Sequence, residues 1–435
     1  MDLAHLSSAD VRQRSAQVAT VAVTVAPSLM SGLLQPIHYR TDVTHKALAD
    51  QWLPLVQFVA RPGIIDLAWG HPDPELLPVD ALRQATARVF EQYGADALNY
   101  GFAAGPGPLI GWLCRRLAEV DAHAARPDEL AITAGTSQAL DQVATLFATP
   151  GDVVLVEEPT YHLAVRILRD HPLELVAIPA DQDGLRVDAL QETLAQLRNQ
   201  RRSIAFLYTI PTFHNPTGAS LAGDRRRQLV DLAANETLVI VEDDAYRELS
   251  YDGPAPPSLW SLASPGTVIR LGTFAKSLAP GLRSGFISAD PKTIGRIVDS
   301  GVFDSGGAVS HFASLVVAEF AATGEYAKNV DRLRAAYRAR RDALLAGLSE
   351  HLGNGARWQR PAGGYFAWLT LASATPAGNL RDAAEAAGTS FLPSSVFYLD
   401  GHGGDQSIRL SFSRYSPSDL SEATRRLGNA IRLTR

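Results

Sequence analysis

Residues 272–286 read GTFAKSLAPGLRSGF, and Lys276 within them is one of only four lysines in a chain with 40 Lys plus Arg. The chain makes its surface charge with arginine, so a lysine among small residues just after an apolar run calls for a chemical explanation. A lysine ε-amine can bond an aldehyde. Arg283 follows seven residues later, and a guanidinium fork holds a fixed anion better than an ammonium does. Thr273 can share the same anion. A second anion signal is LAITAGTSQALDQVATLF at 130–147, which reads as strand, glycine turn and helix. Gly135 permits close backbone approach there, and Thr136 and Ser137 add hydroxyls at a helix N-terminus. Read alone, this stretch is equally a plain helix cap.

An aldehyde that carries its own phosphate is pyridoxal 5′-phosphate. That cofactor needs an acid against its ring nitrogen, so that the ring can draw electrons from the substrate. LVIVEDDAY offers Asp243 at the C-terminal end of a buried strand, where α/β proteins place ligands, and Tyr246 three residues on for the phenolic oxygen. TIPTFHNPTG offers Asn215 for the same oxygen, and EEPTYH offers Tyr161 as an aromatic face. Singly, Asp243 also reads as a helix cap, Asn215 as a turn before Pro216, and Tyr161 as core. Together, in this order, they point to one site. GFAAGPGPLIG at 101–111 does not match GxGxxG, and no GxxxxGK[ST] is present, so a nucleotide site is not expected.

Seven short apolar runs must carry these residues: 130–134, 153–158, 173–178, 203–208, 238–243, 268–273 and 284–289. Helical patterns lie between many of them, such as 137–147 and 224–234. This alternation predicts an α/β fold with a large, mostly parallel seven-stranded sheet buried on both faces. After about residue 310 the character changes. A long helical stretch, 311–352, leads to GGYFAWLTL, TSFLP and SIRLSFS, which predicts a smaller α+β C-terminal domain. The expected division is an N-terminal arm with small-domain and dimer contacts at 1–63, a large cofactor-binding domain at 64–312 and the small domain at 313–435. Arg332, Arg334, Arg338, Arg340 and Arg341 on the long helix read as a solvated face.

At 435 residues with 46% hydrophobic content, the chain can bury a sizeable core. Its net charge of −6 gives no general electrostatic case for nucleic acid. The single cysteine, Cys114, excludes an intramolecular disulfide or a CxxC metal site and fits a cytoplasmic protein. Residues 15–39 carry no Asp, Glu, Lys or Arg. They lack the basic n-region of a signal peptide and the apolar density of a membrane span, so an arm packed on the body or a partner is expected, with no membrane. The first 60 residues are too few and too poor in Lys and Arg for a winged helix, so a DNA-binding regulator is not expected.

From Ile64 to the C-terminus the chain resembles the class I/II aminotransferase-like family of pyridoxal-phosphate fold type I enzymes. HNPTG, EDDAY and TFAK…PGLRSG carry the resemblance in order and spacing. It implies that Lys276 forms the Schiff base (the internal aldimine) and shuttles the proton at Cα, with Asp243 on the ring nitrogen. It further implies that Asn215 and Tyr246 bond the phenolic oxygen, Tyr161 stacks on the ring, and Gly135, Thr136, Thr273 and Arg283 hold the phosphate. LNYGFAAG matches the stretch whose tyrosine, here Tyr100, reaches the phosphate of the neighbouring subunit, which implies a homodimer with shared sites. SIRLSFS matches the motif whose arginine, Arg409, clamps the substrate α-carboxylate. A bidentate fork there would also orient the Cα bonds.

The substrate segment LAWGHPDPELLP keeps Gly70 but places Trp69 and His71 at the pocket mouth. His71 reads either as a turn cap before Pro72 or as a group touching the substrate side chain. The leading expectation is aminotransfer from an L-amino acid or an amino-acid-like specialised metabolite, in biosynthesis. The alternative is a C–S β-lyase, or a decarboxylating or oxidative deaminase, acting on an S-substituted cysteine on the same scaffold. The loop DSGGAVSH at 304–311 has no assigned role, and no metal is expected.

Overall fold

The computed structural model describes residues 55–121, 123–306, 309–372, 377–404 and 406–434. The uncharged stretch 15–39 lies outside the described residues. Residues up to Val59 separate from a body that begins at Ala60, and the account below concerns the body.

Its first strand is the short β1 (Ile65–Asp66). The seven apolar runs are all strands: β2 (Leu130–Thr133), β3 (Val153–Glu158), β4 (Glu174–Asp181), β6 (Ile204–Thr209), β7 (Ile240–Asp243), β8 (Val268–Thr273) and β9 (Gly285–Ser288). An eighth, the two-residue β5 (Gly184–Leu185), pairs back on β4 and is too short to leave an apolar run. The sheet order is β2-β9-β8-β7-β6-β3-β4-β5. Pairing is parallel from β4 through β3, β6 and β7 to β8. β9 runs antiparallel to both β8 and β2, so β2 again points the same way as β8.

The missing alternation has a direct cause. Successive side chains on a strand face opposite ways, and here both ways lead into apolar packing. Val153, Leu155, Leu207 and Ile240 join one core, with Leu113, Leu194 and Leu229 from the helices over them. Val154, Val156, Phe206 and Val241 join the other, with Leu140, Leu168 and Ile294.

A second, four-stranded antiparallel sheet has the order β10-β11-β14-β13. Its strands are β10 (Ala356–Trp358), β11 (Phe366–Leu371), β13 (Leu392–Pro393) and β14 (Ser407–Ser411). β12 (Thr389–Ser390) pairs in parallel with β1. This pairing, continued by Leu67 N–H to the Ser390 carbonyl at 3.0 Å and Ser411 N–H to the Leu67 carbonyl at 2.8 Å, lays residues 67–71 beside β14.

The stretch 311–352 is two helices, not one. His311–Ala322 ends before Gly324, whose φ of +79° suits glycine, and Glu325–Leu352 begins after it. The first helix packs on helices Val79–Tyr93 and Gly107–Asp121; the second packs along Pro417–Leu433. Of the five arginines expected on a solvated face, Arg338 is exposed, but the fold engages the other four. Arg341 is fully buried, donating to Asp252 at 2.6 Å and to the Pro361 carbonyl at 2.8 Å. Arg340 donates to the Ser413 carbonyl at 2.7 Å and to Asp73. Arg332 and Arg334 reach the carbonyls of Leu76 and Glu248. Their acceptors lie far away in sequence, so local charge pattern carries no trace of them.

Gly347 marks where the two long helices touch. A Cβ there would lie 2.2 Å from Thr424 Oγ1. Gly347→Ala gains about 1 kcal/mol of helix propensity, but overpacking a buried contact costs about 1–3 kcal/mol. We expect a net loss of stability, seen as a lower Tm. Adding Thr424→Ala should recover much of it.

Candidate active site

The carboxyl ends of β2, β3, β6, β7 and β8 share one edge of the large sheet, and the amino end of β9 joins them. Segments leaving this edge carry most of the residues singled out above; Trp69, Gly70, His71, Tyr100 and Arg409 come from elsewhere. Asp243 closes β7, Lys276 follows β8 by three residues, Tyr161 follows β3 by three, and Asn215 follows β6 by six.

The anion cradle forms between β2 and β9. Gly135 has φ +89° and caps helix Thr136–Phe147, of which Thr136 and Ser137 are the first two residues. Arg283 Nη2 donates to the Ala134 carbonyl at 3.1 Å. A Cβ on Gly135 would come within 3.0 Å of that same nitrogen. The guanidinium therefore lies against the helix N-terminus, where an anion would meet both a full charge and the helix dipole. Thr273 Oγ1 accepts from Ala275 N–H at 3.1 Å, which fixes the turn that leads to Lys276. Ser310, from the loop that sequence reading left without a role, donates to the Arg283 carbonyl at 2.9 Å.

Asp243 is buried, and its two oxygens differ. Oδ2 accepts from the Tyr208 hydroxyl at 2.8 Å, whereas Oδ1 has no hydrogen-bond partner. Burial raises its pKa to about 6; the Tyr208 bond opposes the rise, and the Asp244 charge adds to it. Lys276 Nζ lies over two phenol rings, 5.7 Å from the centroid of Tyr246 and 5.5 Å from that of Tyr365, and donates to the Gly70 carbonyl at 3.5 Å. Burial lowers its pKa to about 8. Asp243 opposes that shift, while Arg409 and Arg283 reinforce it. Burial likewise raises Tyr246, which packs edge-on to Tyr365 and Phe366. Tyr161 is pushed up to about 12 by burial, with smaller effects from Asp243, Arg409 and Arg283 that place it among those three charges.

Arg409 sits on β14, 3% exposed. Nη1 donates to Asn215 Oδ1 at 2.7 Å and Nη2 to the Ala68 carbonyl at 2.6 Å. Phe366 and Phe397 flank the guanidinium, with centroids at 4.1 and 4.8 Å. Gly70 is required here, because a Cβ would fall 2.6 Å from Phe366 Cζ. Trp69 and His71 have ring centroids 6.0 Å apart. Burial, helped by Lys276 and Arg414, lowers His71 to about 4, so it is neutral at pH 7. Tyr100 is 83% exposed.

Sequence reading missed Tyr208, Tyr365, Phe366, Phe397 and the Ala68 carbonyl. Tyr208 had one signal: a phenol inside a buried run needs a partner for its hydroxyl. Also unforeseen is a buried pair, His214 Nε2 to Glu157 Oε1 at 2.9 Å, at the residue before Asn215.

A phosphate cradle, a buried carboxylate and an amine at the mouth of a parallel sheet define a pyridoxal-phosphate enzyme of fold type I. Residues 62–427 match the family model described as aminotransferase class I and II. An aromatic-amino-acid aminotransferase of Thermococcus litoralis is 33% identical over 91% of this chain and 95% of its own. The crystal structure of a multiple substrate aminotransferase from Thermococcus profundus superposes with a TM-score of 0.82 at 31% identity, over 92% of this chain and 96% of its own. LysN, the alpha-aminoadipate aminotransferase of Thermus thermophilus, complexed with N-(5′-phosphopyridoxyl)-L-leucine, gives 0.77 at 34% identity, over 86% and 93%. The chain belongs to the class I and II aminotransferase family, and its cofactor is pyridoxal 5′-phosphate. Its own residues fit that group: Asp243 Oδ1 is an orphaned buried acceptor for a ring N–H, and the Gly135–Arg283 cradle has the charge for a phosphate. Among the described residues, no helix is long and apolar enough to cross a membrane.

Proposed function

We propose that this chain transfers the amino group of an L-amino acid to a 2-oxo acid, with Lys276 as the residue that bonds the cofactor and moves the proton at the substrate Cα. The observation that carries the reading is the convergence of Lys276, Asp243 and Arg409 at one sheet edge, each ion buried with a defined partner. When bound, pyridoxal phosphate supplies an aldehyde for the amino group and an electron sink for the Cα electrons. The chain supplies the rest. Arg409 holds the α-carboxylate in its fork and so sets which Cα bond faces Lys276. A lysine with a pKa near 8 can both take and return a proton at neutral pH. Asp243 keeps a negative charge against the ring nitrogen, and Tyr246 and the Asn215 amide face the phenolic oxygen. Gly135, Thr136, Ser137, Thr273 and Arg283 anchor the phosphate, and Tyr161 covers the ring.

The pocket mouth carries Trp69 and a neutral His71, and aromatic rings flank Arg409. These surfaces favour an apolar or aromatic side chain, in keeping with the relative named for aromatic amino acids. The 83% exposure of Tyr100, with Leu98 at 71% and Phe102 at 74%, supports a second copy of the chain as its partner and Tyr100 as a contact to that copy's phosphate. The lone Cys114 suits a cytoplasmic setting.

The test is to mix the purified holoenzyme with a panel of L-amino acids without any 2-oxo acid and follow its absorption. A single stoichiometric bleaching, reversed by adding a 2-oxo acid, is expected. Product accumulating over many turnovers without a 2-oxo acid would instead mark a lyase, or an oxidase if it stops when oxygen is removed.

A further inference from the structure

Asp243 is buried, yet only one of its oxygens is engaged. The engaging group is Tyr208, on the neighbouring strand β6, whose ring is completely buried in the core beneath the sheet edge. Register explains the reach: Tyr208 pairs with Val241, two residues before Asp243, so both side chains stand on the same face of adjacent parallel strands. Burial raises the Tyr208 phenol well above its ordinary value, as does the Asp243 charge beside it. It therefore stays protonated and can only donate to the carboxylate. Among the described residues, no other hydrogen bond to either oxygen of Asp243 is seen.

We propose that Tyr208 is a positioning residue for the cofactor: its hydroxyl pins Oδ2 of Asp243 and thereby turns Oδ1 toward the cofactor's ring nitrogen. The inference rests on the reading of Asp243 given above. It adds a second consequence. A donor to a carboxylate favours the charged form, and here it works against burial. The other charges and phenols that face Asp243 are Asp244 beside it, Glu157 on β3, Lys276 on the β8–β9 turn, and Tyr161 and Tyr246. Asp244 and Glu157 raise its proton affinity and Lys276 lowers it, so Tyr208 and Lys276 together keep the group ionised near neutrality.

Tyr208→Phe keeps the ring and deletes the donor. Two readouts need no turnover: the dissociation constant of pyridoxal phosphate from the holoenzyme, and the pH below which the holoenzyme releases it. Loss of a hydrogen bond to a charged group should weaken cofactor binding by about tenfold or more. The release pH should move up by about one unit or more, because the carboxylate then protonates earlier on acidification. In an Asp243→Asn background the same substitution should change neither readout. If it weakens binding there just as much, the effect does not run through Asp243 and the proposal fails. It fails equally if Tyr208→Phe leaves affinity within twofold and the release pH unmoved while Asp243→Asn impairs both. If Asp243→Asn itself changes nothing, the assignment of Asp243 falls first. Should Tyr208→Phe not fold, site-specific 3,5-difluorotyrosine at 208 keeps the ring and strengthens the donor. It should move the release pH down, and an unmoved value would overturn the proposal.

Discussion

Lys276→Ala should reduce turnover by roughly 10⁴-fold or more, because in the proposed function it removes both the covalent tether and the proton carrier in one step. The fold should survive. Among the described residues, Nζ makes one hydrogen bond, a long one to the Gly70 carbonyl, so deleting it leaves no strong acceptor stranded. Cofactor should still bind through the Gly135–Arg283 cradle and Asp243, though without a covalent link. A companion measurement uses the unmodified chain freed of cofactor. Only the neutral amine attacks an aldehyde, and burial lowers Lys276 from 10.5 to about 8. The rate of covalent capture of pyridoxal phosphate should therefore climb as pH rises through about 8 and level off above it. Full activity in Lys276→Ala, or capture that keeps climbing to pH 10, would remove Lys276 from its assigned place.

Arg409→Ala should weaken amino-acid binding by roughly 2–5 kcal/mol, the cost of removing one partner of a desolvated charge pair. The structure adds detail. Its guanidinium is held by Asn215 and the Ala68 carbonyl and lies between two phenyl rings, so the fork is already oriented before substrate arrives. Arg409→Lys should therefore fail to restore affinity, since a point charge on a flexible stem cannot hold that geometry. The alanine variant also leaves the Asn215 and Ala68 acceptors without this donor, at a cost to stability of about 1–3 kcal/mol. Titrating the absorption change with an amino acid separates the two effects from thermal unfolding. Unchanged affinity would take Arg409 out of the substrate site.

What sequence reading recovered, and what it missed, divides by the range of the interactions. The strands were legible because burial on both faces leaves continuous apolar runs. That Lys276, Asp243 and Asn215 would come to one sheet edge was legible because each follows or closes an apolar run at its carboxyl end. Tyr208 and Tyr365 act through contacts across strands or between sheets, and a single strand segment does not state its partner. The Ala68 contact is made by backbone and has no residue signature. Arg340 and Arg341 were misread because a charged residue on a helix usually meets water, and their acceptors at Ser413, Asp73, Asp252 and Pro361 are brought in by the fold. The helix break at Gly324 was hidden in a stretch otherwise rich in helix formers.

The place of β2 has a consequence for how the chain is made. Among the described residues β2 is an edge strand paired with β9 alone, so residues 130–133 wait for 285–288. At about 5–20 residues per second, a ribosome needs roughly 8–30 s to deliver that partner. Throughout that interval a largely apolar strand has no sheet to join; in the finished fold the Ala104 carbonyl accepts from its Ile132 amide. The anion cradle, which needs Gly135 and Arg283 together, cannot exist before then. A nascent chain stalled before β9 should be unable to hold phosphate and prone to aggregate through this open edge.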